Sequence, residues 1–224
     1  MPSDPVEVRE MDSLTSLIGG LTIENKPDRW AWLGGADNTL TVRNVKDFLL
    51  GDKDFSDRYV FDWINWVPKK CNVFMWRATM DRIPTMVALR ARNCFALDPV
   101  CVLCGEEEET VEHLFCKCET AARVWHFISK WCNTAPFFIF DIKDLLEFQD
   151  TSRKNKIEKD VLKSLIIISC WCIWKARNEL KFENIKVSTM KIIQNIRLLG
   201  FLWFRSKTKH RGISWSNWCN FVLM

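Results

Sequence analysis

The feature that most constrains this chain is a set of metal-type ligands at fixed spacing, Cys101-x2-Cys104-x8-His113-x4-Cys118. Two cysteines separated by two residues can bite one ion from a tight turn, because the intervening backbone folds back and aims both sulfurs inward. Gly105, directly after Cys104, suits such a knuckle, since a residue without Cβ accepts left-handed backbone. His113 and Cys118 close the tetrahedron from a separate segment. Three thiolates and one imidazole make a closed structural Zn2+ site, with bonds of roughly 2.3 Å to sulfur and 2.0 Å to nitrogen. A catalytic zinc keeps one position open for water, so a single zinc acting as a staple is expected. Cys116 competes with Cys118 for the fourth position, and Cys118 is preferred. Cys71, Cys94, Cys132, Cys170, Cys172 and Cys219 sit in helical or unpatterned contexts and read as small buried apolar residues. The run Glu106 to Glu109 lies between the ligand pairs, and residues 106–119 hold six acids against Lys117. Such a segment repels phosphate, and the run reads as a solvated loop.

Around the knuckle the pattern is helical. Gly is only 8 of 224 residues while Trp is 12 and Phe 15, which disfavours a loop-rich sandwich or a dinucleotide-binding fold. Met11 to Leu21 puts Leu14, Leu17, Ile18 and Leu21 on one helical face. Trp30, Trp32, Leu40 and Val42 alternate across Gly34-Gly35 and suggest one short β-hairpin near the N-terminus. Asn44 can cap a following helix with Val45, Phe48 and Leu49 on its apolar face. Val67 to Met80 predicts a helix with Pro68 at its first position and Val73, Phe74, Arg77 and Met80 along its stripe. A short helix follows over Pro84 to Arg92. Thr120 caps a helix bearing Val124, Trp125, Ile128, Trp131 and Cys132, and long helices are expected over about 152–182 and 188–205. Trp76, Trp125, Trp171 and Trp174 are read as core. The expected fold is mostly α: a helical domain with a small zinc knuckle. Its organisation is read as a lead-in at 1–27, a zinc-binding domain at 28–132, a linker at 133–151 and a C-terminal helical region at 152–224.

Several function classes fall away. Acidic residues through the first 26 positions leave no basic region followed by an apolar one. The most apolar run, Ser164 to Trp174, is too short for a bilayer of about 30 Å. The chain is therefore read as soluble and intracellular, in nucleus or cytoplasm, with thiols rather than disulfides. No nucleophile–base pair, P-loop, Gly-rich dinucleotide turn or polymerase-type carboxylate pair is present, so no enzyme and no small-molecule substrate are expected. Net charge is only +4, but it is unevenly spread. Lys69 to Arg92 carries Lys69, Lys70, Arg77, Arg82, Arg90 and Arg92 against Asp81, and this is the candidate surface for RNA or DNA. Lys69, Lys70, Arg82, Arg90 and Arg92 are its candidate contacts. Arg77 shares the helix stripe and is set aside. Basic stretches at 153–163 and 205–211 read more simply as solvated faces.

Several segments converge on one family: Asp28-Arg29-Trp30-Ala31-Trp32, Leu40-Thr41-Val42-Arg43-Asn44-Val45-Lys46, Asn72-Val73-Phe74-Met75-Trp76-Arg77 and Asp81-Arg82-Ile83-Pro84-Thr85. They continue through Asp98-Pro99-Val100-Cys101-Val102-Leu103-Cys104-Gly105, Glu112-His113-Leu114-Phe115, Cys118, Ala121-Ala122-Arg123-Val124-Trp125 and, more loosely, Ile173-Trp174-Lys175-Ala176-Arg177-Asn178. On these segments the chain resembles the plant reverse-transcriptase zinc-binding domain of non-LTR (LINE-type) retrotransposons and of stand-alone genes derived from them. Neither the polymerase module nor the ribonuclease-H-like module that accompanies this domain is legible in the 224 residues. The resemblance implies a non-catalytic, zinc-stabilised domain derived from a retrotransposon polyprotein. It further implies association with nucleic acid and with a reverse transcriptase. The alternative is a stand-alone scaffold or protein-interaction domain, or a retroelement gene fragment without selected function.

Overall fold

The structure is a computed structural model and describes residues 4–20, 27, 32–34, 39–51, 59–94 and 98–223. It divides into two units, 1–58 and 59–224.

The first unit contributes two helices among its described residues. Helix α1 spans Pro5–Ile18, capped by the Asp4 carboxylate accepting from Val6 N–H, with Pro5 opening the helix. Pro in the first turn costs no hydrogen bond there, and none of the helix's side chains is buried. Helix α2 spans Val42–Leu50. Its cap is the Thr41 hydroxyl, which accepts from Asn44 N–H at 3.0 Å. Asn44 thus lies inside the helix and does not cap it. The expected hairpin falls in large part outside the described residues, and its member Val42 is the first residue of α2 rather than a strand residue.

The second unit is built around one long helix. In chain order it contains α3 (Lys69–Thr79), α4 (Met86–Ala91), a π turn (His113–Lys117), α5 (Glu119–Trp131), α6 (Ile142–Glu147), a 3-10 turn (Phe148–Thr151), α7 (Lys156–Glu183), α8 (Thr189–Lys207) and α9 (Trp215–Cys219). Helix α7 starts at a capping box, with Asn155 accepting from Glu158 N–H and Glu158 accepting from Asn155 N–H. It stops at Asn184, whose left-handed backbone is a common helix terminator. Between these caps nearly every residue from Val161 to Arg177 is buried, because α3, α5, α6 and α8 surround it. That explains an apolar run without a clear stripe: a helix packed on all sides needs none. Its two serines inside the run, Ser164 and Ser169, return their hydroxyl protons to the carbonyls of Asp160 and Leu165. No helix among the described residues is long and apolar enough to cross a membrane.

Helix α3 is rotated relative to the expected stripe. Cys71, Asn72, Phe74, Met75 and Ala78 face the core, while Val73, Trp76, Arg77 and Met80 are exposed. Pro68 precedes the helix as its cap residue rather than opening it. The determinant is Asn72. Its side chain accepts from Ile64 N–H and donates to the carbonyls of Ile64 and Val67. A buried amide needs such partners, and it locks the preceding loop onto the helix.

Residues 133–151, expected as a linker, carry α6 with Ile142, Leu145 and Leu146 buried. Phe137 stacks between Trp125 and Phe148. The chain end is likewise core. Trp218 is fully buried, donates its indole N–H to Arg197 O, and lies so close to α8 that a Cβ at Gly200 would meet its ring at 2.8 Å.

Candidate metal centre

The knuckle is a closed loop. Cys101 N–H donates to Glu107 O at 2.8 Å, and Glu109 N–H donates to Pro99 O at 2.8 Å. Val100 and Glu108 form an antiparallel bridge, the only one among the described residues. Inside the loop Gly105 N–H returns to Cys101 O at 2.8 Å. Gly105 does so with φ +75°, in the region that disfavours side chains. This turn aims the Cys101 and Cys104 sulfurs the same way.

The other two ligands flank the π turn. His113 N–H donates to the Thr110 hydroxyl at the start, and Cys118 N–H donates to His113 O at 2.7 Å, five residues back. Trp125 fixes this turn from α5 by donating its indole N–H to Phe115 O at 2.7 Å. Single π turns of this kind recur at functional sites. Here the extra residue brings His113 and Cys118 to one centre. Cys118 also stands as the N-cap of α5, a position expected for Thr120. Its side chain makes no capping hydrogen bond and stays free to face the cluster.

The four ligand atoms of Cys101, Cys104, His113 and Cys118 all lie within 4.8 Å of one another. Cys101 and Cys118 sulfurs are 4.0 Å apart, and Cys104 Sγ is 3.3 Å from His113 Nε2. Zinc–sulfur bonds of roughly 2.3 Å at the tetrahedral angle would put two sulfurs about 3.8 Å apart. The donor set and the spacing therefore fit a tetrahedral zinc held by three sulfurs and one nitrogen. Cys116 is half-buried and outside the cluster. Burial pushes its thiol up to about 12, so it is a poor thiolate donor.

The electrostatics suit the same ion. The Cys118 thiol is lowered by its contact with Cys101 and by the backbone N–H groups of Thr120 and Ala121 near it at the start of α5. Its partner Cys101 is correspondingly raised. Metal ligation replaces that shared proton. Two residues that the acidic run concealed complete the centre. Glu107 accepts from His113 Nδ1 at 3.0 Å, which leaves Nε2 as the ligand and fixes the ring, the arrangement that raises a histidine's basicity toward a metal.

Glu109 is not solvated at all. It is completely buried against Arg177 of α7, with Nε and Nη2 contacts of 3.0 and 2.6 Å. Its Oε1 also accepts from Met86 N–H at the start of α4, and Arg177 donates to Pro84 O. The guanidinium lies 4.7 Å from the Trp174 ring centre. The knuckle is thus tied to α4 and α7 by an ion pair, while the expected metal would tie it to the π turn and the start of α5.

The candidate nucleic-acid residues are all exposed. Lys69 and Lys70 open α3, Arg82 follows it, Arg90 lies in the last turn of α4 and Arg92 is its C-cap. Arg90 is paired at 3.7 Å with Glu108 of the knuckle, and Lys70 lies over the Trp171 ring at 5.4 Å.

A closed Cys3His cluster of this geometry could hold a metal ion in the manner of a structural zinc centre. Consistent with that geometry, residues 41–125 match the family described as zinc-binding in reverse transcriptase. No curated protein and no solved structure gives a significant match.

Proposed function

We propose that this chain is a non-catalytic, zinc-stapled domain derived from the polyprotein of a plant non-LTR retrotransposon, and that it binds RNA or DNA without sequence preference. The observation that carries the reading is the Cys101–Cys104–His113–Cys118 cluster, lying inside a segment that matches a zinc-binding family of reverse transcriptase. Four protein donors leave no position for water on a tetrahedral ion, which supports a staple rather than a reactor. The exposed cations of α3 and α4 support the nucleic-acid part, with a reverse transcriptase as the partner implied by the family. Counterion release sets its test. Three to five phosphate contacts would lower duplex affinity roughly a hundredfold between about 50 and 200 mM salt. Charge reversal of Lys69, Lys70 and Arg82 should abolish binding with zinc content and melting unchanged. Binding that is indifferent to salt and to those reversals would refute the reading.

A second reading, a protein-interaction module, is favoured by α2. None of its side chains is buried, and Val42, Phe48 and Leu49 are exposed. Salt-independent capture of a protein through those residues would support it.

A further inference from the structure

The outer face of α3 carries a combination that core packing does not explain. With about 100° between successive residues, Lys69, Lys70, Val73, Trp76, Arg77 and Met80 fall on one side of the helix. All six are exposed. Opposite them, Cys71, Asn72, Phe74, Met75 and Ala78 are buried. The outer face therefore holds three cations, no acid and three large apolar side chains. Val73, Trp76 and Met80 are 39, 42 and 37% exposed. Among the described residues Trp76 makes no ring–ring contact, unlike Trp125, Trp131, Trp171, Trp174 and Trp218 of the same unit. Arg77 is held in place beside it, donating from Nη2 to Arg82 O at 2.9 Å. Its remaining guanidinium protons stay available.

We propose that this face is a platform for single-stranded nucleic acid. Trp76 stacks on an unpaired base, and Lys69, Lys70 and Arg77 meet the neighbouring phosphates. The inference rests on the nucleic-acid reading above and specifies its form. A duplex presents phosphates but hides the faces of its bases, so an outward indole gains nothing from it. A single strand offers both, and every base has a face on which an aromatic ring can stack. The absence of acid on this face selects a polyanion. A second copy of the chain would bring like charges together, and an ordinary protein surface would leave the cations unanswered.

The test uses the full chain with fluorescently labelled oligothymidylate and a duplex of equal length, in low salt and across a salt series. Trp76→Ala should weaken single-strand binding about tenfold or more and leave duplex binding unchanged. The salt slope should persist, because no phosphate contact has been removed. Trp76→Phe should keep most of the affinity. Trp63→Ala, at an indole outside α3 that is 52% exposed, should change nothing. A measurement independent of refolding is photo-cross-linking of the wild type to a bromouracil-substituted strand, which should mark the α3 peptide containing Trp76. Unchanged single-strand binding by Trp76→Ala, an equal loss on both forms, or cross-links confined to other peptides would overturn the platform while leaving the electrostatic reading standing. Failure of the wild type to bind either form in low salt would overturn both.

Discussion

Glu107 and Glu109 are two residues apart in a run of four glutamates, yet their environments are opposite. Glu107 is largely exposed and orients His113, whereas Glu109 is fully buried on Arg177. Removing one partner of a buried pair leaves a charge without compensation, which costs about 3–5 kcal/mol. Glu109→Gln should therefore lower the urea-unfolding free energy by about 3 kcal/mol, while Glu106→Gln on the exposed tip should stay within about 0.5 kcal/mol. Equal effects in the two variants would show that the Arg177 pair contributes nothing. Glu107→Gln should spare folding in excess zinc but weaken the metal about 10- to 100-fold in chelator competition, the usual loss when a histidine ligand's partner is removed. Unchanged affinity would mean that His113 is oriented by its backbone alone. The four members of the metal-type cluster were legible because their spacing is local. These glutamates were not, because identical neighbours differ only by a partner 68 positions away that composition and periodicity do not register.

At the scale of elements, α3 shows how a correct helix can be assigned the wrong face. Both of its sides carry apolar residues, so Val73, Phe74, Arg77 and Met80 counted as a stripe as readily as the true inner set. What decides the rotation is Asn72, a polar residue whose four-atom amide satisfies the loop at Ile64 and Val67. Asn72→Ala should cost about 2 kcal/mol by leaving those buried groups unpaired. Val73→Ala, on the exposed side, should cost no more than about 0.5 kcal/mol. A chemical-denaturation series that ranks the apolar substitution as the more damaging would contradict this rotation. The caps were partly legible. Ser188 opens α8, and its hydroxyl accepts from Lys191 N–H, where a helix start was expected. At α5 the metal-ligand candidate Cys118, not Thr120, takes the cap position, a substitution that sequence preference for hydroxyl caps does not anticipate.

Over the whole molecule, helical class was readable from the density of tryptophan and phenylalanine at three- and four-residue intervals. The boundaries were less so. Residues 133–151 look like a linker because they contain a short polar helix entry, but Ile142, Leu145 and Leu146 reach the core surrounding α7. Trp218 finds its place only against Gly200 on α8, a contact that local spacing does not register. Thiol reactivity reports this organisation. Burial pushes Cys71 and Cys172 up to about 12, so at mildly alkaline pH neither should alkylate in the folded protein, whereas exposed Cys94 should react first. Chelation should then open Cys101, Cys104 and Cys118 to the reagent while Cys170 stays protected; simultaneous reaction of all ten thiols on chelation would show that the fold depends entirely on the metal. The central claim, that one ion closes the knuckle, is tested most directly by elemental analysis of the purified, folded chain. The account predicts one zinc per chain, lost in Cys101→Ser/Cys104→Ser and in His113→Ala and retained in Cys170→Ser. A folded wild type without zinc, or full zinc content after both Cys101 and Cys104 are replaced, would contradict it.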